Sequence, residues 1–102
     1  MIHTVGPVYR DGLQGEAALL ASAYHASLAL ALEHRIRSIA FPSIGTGAFG
    51  YPLEAAAAIA VSAISAFLNV HTGIRRVLIV LFSPEAYRAY ETALRDLKTT
   101  KN

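Results

Sequence analysis

The sequence predicts an α/β fold in which three strand–helix units build a mainly parallel sheet covered by helices. Segments rich in β-branched and aromatic residues alternate with segments of helical periodicity along the 102 residues. A glycine-rich run separates the second strand-like segment from a long alanine-rich one. Apolar residues make up 54% of the chain and charged residues 16%, a composition that suits a buried sheet and argues against disorder.

The first unit combines a strand over Ile2–Tyr9, a polar loop over Arg10–Gly15 and a helix over Glu16–His34. The strand is β-branched and aromatic, and glycine and proline punctuate its end. The helix carries an apolar stripe with the three- and four-residue spacing of one buried face, formed by Leu20, Tyr24, Leu28, Ala31 and Leu32.

The second unit pairs a strand over Ile39–Ile44 with a helix over Pro52–Leu68. Proline suits a first helical position because its missing N–H has no partner there. Small residues at Ala56, Ala60 and Ala63 permit close packing, and Ile64 and Phe67 add bulk further along.

The third unit is a continuous apolar strand over Val77–Phe82 and a helix that Ser83 and Pro84 begin. The unbroken apolar run indicates a strand with both faces covered. The predicted inner stripe of the last helix is Tyr87, Tyr90, Leu94 and Leu97.

The run Gly45-Thr46-Gly47-Ala48-Phe49-Gly50 predicts an anion site. Glycines at this spacing let the backbone turn tightly and approach a ligand without a Cβ in the way. The unpaired N–H groups and the dipole of the following helix favour a phosphate. Ligands of parallel sheets bind beyond the carboxyl ends of the strands, where this run and Phe82-Ser83 both lie. A plain tight turn is the alternative.

Composition excludes several function classes. The chain has no cysteine, so disulfides, thiolate catalysis and cysteine-based metal sites are excluded, and we expect neither a metal nor a cofactor. A cytoplasmic location is consistent with this composition. The net charge is +2 without a run of Lys or Arg, so we expect no nucleic-acid partner. We expect no membrane span, because no apolar segment reaches roughly 18 residues, and Ala55–Leu68 is interpreted as a buried helix.

These segments together resemble the macro domain family. The resemblance covers nearly the whole chain and rests on Ile2-His3-Thr4-Val5-Gly6-Pro7-Val8, on Gly15-Glu16 with Leu20, Tyr24 and Ser27-Leu28, and on Ser38–Pro42 continuing through Gly45–Pro52. It implies a three-layer α/β/α macro-like fold and the binding of ADP-ribose or a related ADP-ribosyl metabolite.

The resemblance also implies a set of ligand-binding residues. By this resemblance Thr46, Gly47, Ala48 and Phe49 line the diphosphate, with Phe49 beside the distal ribose, while Phe82 and Ser83 lie near the adenine. The whole binding set is Gly45, Thr46, Gly47, Ala48, Phe49, Gly50, Phe82 and Ser83.

The chain departs from the family at its N-terminus. It contains neither an Asn-Ala-Ala-Asn run nor a Gly-Gly-Gly segment, which the family places upstream. We therefore interpret residues 1–102 as a partial macro domain, N-terminally truncated, with an exposed sheet edge open to self-association. The catalytic residues stay unknown, and the sequence leaves enzymatic activity uncertain.

Four functions remain open at this point. Binding of ADP-ribose is favoured. Hydrolysis of O-acetyl-ADP-ribose or of protein-linked ADP-ribose comes second, because the family's catalytic segment is missing. A non-functional fragment associating through its open edge comes third. An NAD-dependent redox domain comes fourth, because no acidic residue follows the glycine-rich run at the spacing that it requires.

Overall fold

A computed structural model describes residues 10, 15–42, 44 and 50–100, with side chains described through residue 97. Five elements follow one another along the chain: α1 (Glu16–Glu33), β1 (Ser38–Pro42), α2 (Leu53–Val70), β2 (Arg76–Val80) and α3 (Pro84–Thr100). Each predicted helix and strand within the described residues exists, with ends shifted by at most two residues. The predicted first strand, Ile2–Tyr9, lies outside the described residues.

The two described strands pair in parallel, as the alternation of elements predicted. The register places Ser38 beside Arg76 and Pro42 beside Val80. The carboxyl ends of both strands therefore lie at one edge, where the chain turns into α2 and α3.

The three helices form a single layer on one face of the sheet. α2 lies between α1 and α3 and packs against both. Ala56 and Ala60 of its predicted small face are at 0% exposure, whereas Ala63 is half-buried. Leu20, Tyr24 and Leu28 of α1 are also at 0% exposure. Phe41 of β1 joins this core, and Ile39, Val77 and Ile79 pack against it. The small side chains of α2 thus let α1, α3 and the sheet all pack closely against this helix.

The other face of the sheet is open in the described part of the chain. Leu78 is 42% exposed and Val80 is 46% exposed, because alternate strand residues point away from the helices. The prediction that β2 is covered on both faces is therefore wrong for the residues that the structure describes. The apolar run on β2 has a packing partner on one side only.

α3 buries a different stripe from the predicted one. Tyr90 is buried, but Tyr87 is 60% exposed and Leu94 is 47% exposed, while Ala86 and Ala89 take the inner positions. The physical reason is the close approach of α3 to α2, which small side chains allow. Tyr87 and Leu94 instead line an apolar groove of about 630 Å³ between β2, α2 and α3.

α2 is longer than predicted. It spans 18 residues and is long and apolar enough to cross a membrane by length and composition alone, so the expectation that no segment reaches this length is wrong. It runs past Leu68 to Val70 and begins one residue after Pro52, which stands at the N-cap. Core helices of the same composition pass the same test. Only 28% of the span is buried, so the interpretation as a buried helix holds for one face of α2 and not for the whole helix.

The C-terminus of α1 ends in a Schellman motif. The N–H of Ile36 donates to the carbonyl of Ala31 at 2.9 Å, and the N–H of Arg35 donates to that of Leu32 at 3.0 Å. Arg35 stands at the position that glycine usually takes, with φ +59°. Arg35, two residues after the end of α1, is thus held in a left-handed backbone conformation.

Candidate functional site

The candidate site lies at the carboxyl edge of the sheet, between the end of β1 and the start of α2. Five of its predicted residues, Gly45, Thr46, Gly47, Ala48 and Phe49, lie outside the described residues. The structure describes Ile44, directly before the glycine-rich run, and Gly50, its last residue. The register that pairs Pro42 with Val80 brings the start of this run and the Phe82-Ser83 segment to the same edge.

Gly50 ends the run in a conformation that favours glycine. Its φ is +73°, and no heavy atom lies within 4 Å of the point where a Cβ would stand. Backbone geometry rather than crowding therefore accounts for a glycine at this position. Tyr51 directly after it is buried, so the run leads into the core before α2 begins.

The N-terminus of α2 has no side-chain cap. Pro52 occupies the N-cap with φ −56° and ψ 130°, and it has no side-chain acceptor to offer the first turn. The first intrahelical bond runs from the N–H of Ala56 to the carbonyl of Pro52 at 2.9 Å. The N–H groups of the preceding turn are therefore outside the intrahelical ladder, which leaves them suited to an anion.

Tyr24 fastens the backbone at Ile44, the residue directly before the glycine-rich run, to α1. The N–H of Ile44 donates to the Tyr24 hydroxyl at 3.2 Å. The Tyr24 ring meets Phe41 of β1 edge-on, with centroids 5.1 Å apart. Burial is the main reason that the pKa of Tyr24 is raised, and Tyr90 of α3 raises it further. The hydroxyl therefore stays protonated and links α1, the backbone at Ile44 and α3.

Sequence reasoning missed this role of Tyr24. The apolar stripe correctly predicted a buried residue, but no linear signal connects it to a backbone amide 20 residues further on. Because a buried tyrosine needs a hydrogen-bond partner for its hydroxyl, the sequence indicated that Tyr24 has such a partner but not which residue it is.

Phe82 and Ser83 have contrasting environments. Phe82, two residues after the end of β2, is 90% exposed, an unusual state for a large aromatic side chain. Ser83 caps α3, because its Oγ accepts the N–H of Ala86 at 3.1 Å and its carbonyl accepts that of Tyr87 at 3.1 Å. The capping role predicted for Ser83 is confirmed, whereas contact of either residue with adenine stays a prediction.

Glu16 begins α1 at the same edge of the molecule. It is 2% exposed, and its Oε2 accepts the N–H of Arg10 at 3.0 Å. The sequence expected an acid in a first helical turn, and this bond gives Glu16 a structural role there. Among the described residues, no group of three His, Asp or Glu side chains could hold a metal ion.

The chain is similar to macro domains in sequence. The macro domain family model matches residues 1–60. The macro domain-containing protein CT2219 of Chlorobaculum tepidum is 52% identical over 94 residues, which are 92% of this chain and 55% of that protein. A protein of Klebsiella pneumoniae named O-acetyl-ADP-ribose deacetylase is 50% identical over 94 residues, 92% of this chain and 54% of the relative.

Solved structures give the same match in three dimensions. The Oceanobacillus iheyensis macrodomain with ADP aligns at a TM-score of 0.91 and 40% identity, over 96% of this chain and 51% of that one. The Trypanosoma brucei macrodomain in complex with ADP-ribose aligns at 0.81 and 35% identity, over 90% of this chain and 38% of that one. The chain thus spans about half the length of the curated relatives described above.

Proposed function

Because the chain belongs to the macro domain family, we propose that it binds ADP-ribose or a related ADP-ribosyl metabolite through the Gly45–Gly50 run. The observation that carries the proposal is the strand, glycine-rich run and uncapped helix in direct succession. That arrangement supplies backbone N–H donors and a helix dipole to a diphosphate. Solved relatives at 35–40% identity that hold ADP or ADP-ribose support this choice of ligand.

The phosphate contact is tested by calorimetric titration with ADP-ribose, AMP and NAD. We expect ADP-ribose to bind most tightly. Gly47→Val should abolish binding, because a branched side chain would occupy the space of the phosphate. Ala66→Val is the control, since it introduces the same residue at an exposed position of α2. Unchanged affinity in Gly47→Val would remove the run from the site.

The adenine contact is tested at Phe82. Phe82→Ala should weaken ADP-ribose binding about tenfold, equivalent to about 1.4 kcal/mol, through the loss of ring stacking. Since Phe82 is 90% exposed, the substitution removes little from the core. Tyr87→Ala, which removes another exposed aromatic ring, should bind as the unmodified chain does. Equal losses in both variants would contradict a specific role for Phe82.

A second candidate is hydrolysis of O-acetyl-ADP-ribose. It is favoured by the relative at 50% identity that carries the name of a deacetylase. Acetate release from O-acetyl-ADP-ribose, measured against a protein-free blank, tests it directly. Binding of ADP-ribose without acetate release would reject this second candidate and leave the first intact.

We also propose that the chain self-associates through its sheet. Among the described residues, neither β1 nor β2 pairs with a third strand, and Leu78 and Val80 present apolar surface beside them. Unpaired strand edges and exposed apolar patches both favour association. Light scattering across a concentration series tests this, and a monomer at every concentration would reject it.

A further inference from the structure

The fold gathers four arginines at the end of the sheet opposite the candidate site. Arg35 and Arg37 lie between α1 and β1, while Arg75 directly precedes β2 and Arg76 is its first residue. The carbonyl of Arg37 accepts the N–H of Arg75 at 2.7 Å and that of Arg76 at 3.1 Å. All four side chains are exposed. We call these residues the arginine patch.

The charge of the arginine patch is uncompensated within the described residues. None of its four guanidinium groups makes an ion pair with a described acid. Glu33 is the nearest acid along the chain, at the end of α1, whereas Glu16, Glu54 and Glu85 begin helices at the opposite edge. The remaining described acids, Glu91 and Asp96, lie on α3, where Glu91 pairs with Arg95. The amino end of the sheet is therefore a concentrated positive surface on a chain whose net charge is only +2.

Arg35 supplies an observation independent of charge. It occupies the left-handed position of the Schellman motif, where glycine is the favoured residue. Helix termination alone therefore favours glycine over arginine at this position. A role for the guanidinium group accounts for a residue that the backbone disfavours.

We propose that the arginine patch binds the phosphate backbone of single-stranded nucleic acid. Guanidinium groups hold phosphates with paired, charge-assisted hydrogen bonds. A flexible strand can bring successive phosphates to cations that two short turns fix in place. The sequence predicted no nucleic-acid partner because the arginines are separated along the chain; parallel pairing of β1 with β2 brings them together.

The contacts should be independent of base sequence. The described turns contain no Phe, Tyr or Trp ring, and their one kind of ring is the imidazole of His34 and His71, so we expect contacts to phosphate rather than to bases to dominate binding. With four phosphates engaged, the logarithm of the association constant should fall with the logarithm of salt concentration at a slope of about −2.8.

Fluorescence anisotropy with labelled dT20 and rU20 at increasing NaCl tests the proposal. The double variant Arg37→Gln/Arg76→Gln should weaken binding at least tenfold and reduce the slope by about 1.4. Arg88→Gln/Arg95→Gln on α3 removes the same charge elsewhere and should change affinity less than twofold. Equal losses in both double variants, or no binding by the unmodified chain, would overturn the proposal.

Two further measurements separate this site from its alternatives. Saturating ADP-ribose should leave oligonucleotide binding unchanged, and displacement would assign the oligonucleotide to the glycine-rich run instead. A 20-residue poly-glutamate peptide should bind more weakly than dT20; equal or tighter binding would indicate an acidic protein partner and reject the nucleic acid.

Arg35→Gly should weaken oligonucleotide binding while stabilising the fold, and unchanged affinity would count against the patch.

Discussion

Tyr24 fixes the chain at the point where β1 passes into the glycine-rich run. Its hydroxyl accepts the N–H of Ile44, and its ring packs against Phe41 of the same segment. A single side chain of α1 therefore contacts both β1 and the residue directly before the run. Because the backbone before the run is already fixed, less of the chain has to be ordered when a ligand binds, which lowers the free-energy cost of binding.

Removing this hydroxyl should destabilise the fold. Tyr24→Phe leaves the buried N–H of Ile44 without its acceptor, at a cost of about 2 kcal/mol at pH 7. Urea unfolding measures the loss. Tyr87→Phe, which changes an exposed tyrosine, is the control and should cost less than about 0.5 kcal/mol. Equal stability of both variants would contradict the anchoring role.

The stabilisation that the Tyr24 hydroxyl provides should depend on pH. The pKa of Tyr24 in the folded chain is raised from its ordinary value of 10.0, mainly by burial. Above pH 10 the hydroxyl of Tyr24 loses its proton in the unfolded chain but keeps it in the folded chain. The stabilisation by this hydroxyl is therefore complete well below pH 10 and decreases as the pH rises. The difference in stability between the unmodified chain and Tyr24→Phe should therefore shrink between pH 7 and pH 10.5. A constant difference would contradict the burial of the hydroxyl.

The elements follow the sequence closely in type and less closely in orientation. Helical periodicity and turn residues identify α1, α2 and α3, because both are local properties. The exposure of Tyr87 and Leu94 could not be predicted, because it depends on how closely α3 approaches α2. The alanines on α2 that permit this approach belong to another part of the sequence.

The capping of α3 gives a prediction for a single element. Ser83→Ala removes the acceptor for the N–H of Ala86 and should lower stability by about 1 kcal/mol. Thermal unfolding should show this as a decrease in Tm of roughly 4–8 °C. Ser83→Asp, which retains an acceptor at the helix N-terminus, should restore most of the loss. Failure of Asp to restore it would show that the hydroxyl acts in another way.

At the scale of the whole molecule, the sequence predicted the parallel pairing but not which surfaces it leaves open. The apolar run on β2 indicated cover on both faces, yet the described helices all lie on one. The arginine patch was equally hidden, since proximity of Arg37 to Arg75 depends on strand pairing. The candidate site was accessible to sequence reasoning because the residues of the glycine-rich run are consecutive.

The open face leads to a test of association. Val80→Lys places a charge on the exposed side of β2 and should shift the chain towards monomer at a given concentration. Ala66→Lys adds the same charge at an exposed position of α2 and should leave association unchanged. Sedimentation velocity compares the two. An equal effect of both substitutions would indicate non-specific charge repulsion instead of association through the sheet.

The exposure of Phe82 makes the chain suitable for optical measurement. The protein contains no tryptophan, so Phe82→Trp would introduce a single indole at the carboxyl end of β2, with water around most of its surface. Without ligand the emission maximum of this indole would lie at long wavelength, and a nucleotide base stacked on the ring would quench the emission. One residue at the rim of the sheet could thus report occupancy in real time without a covalent dye.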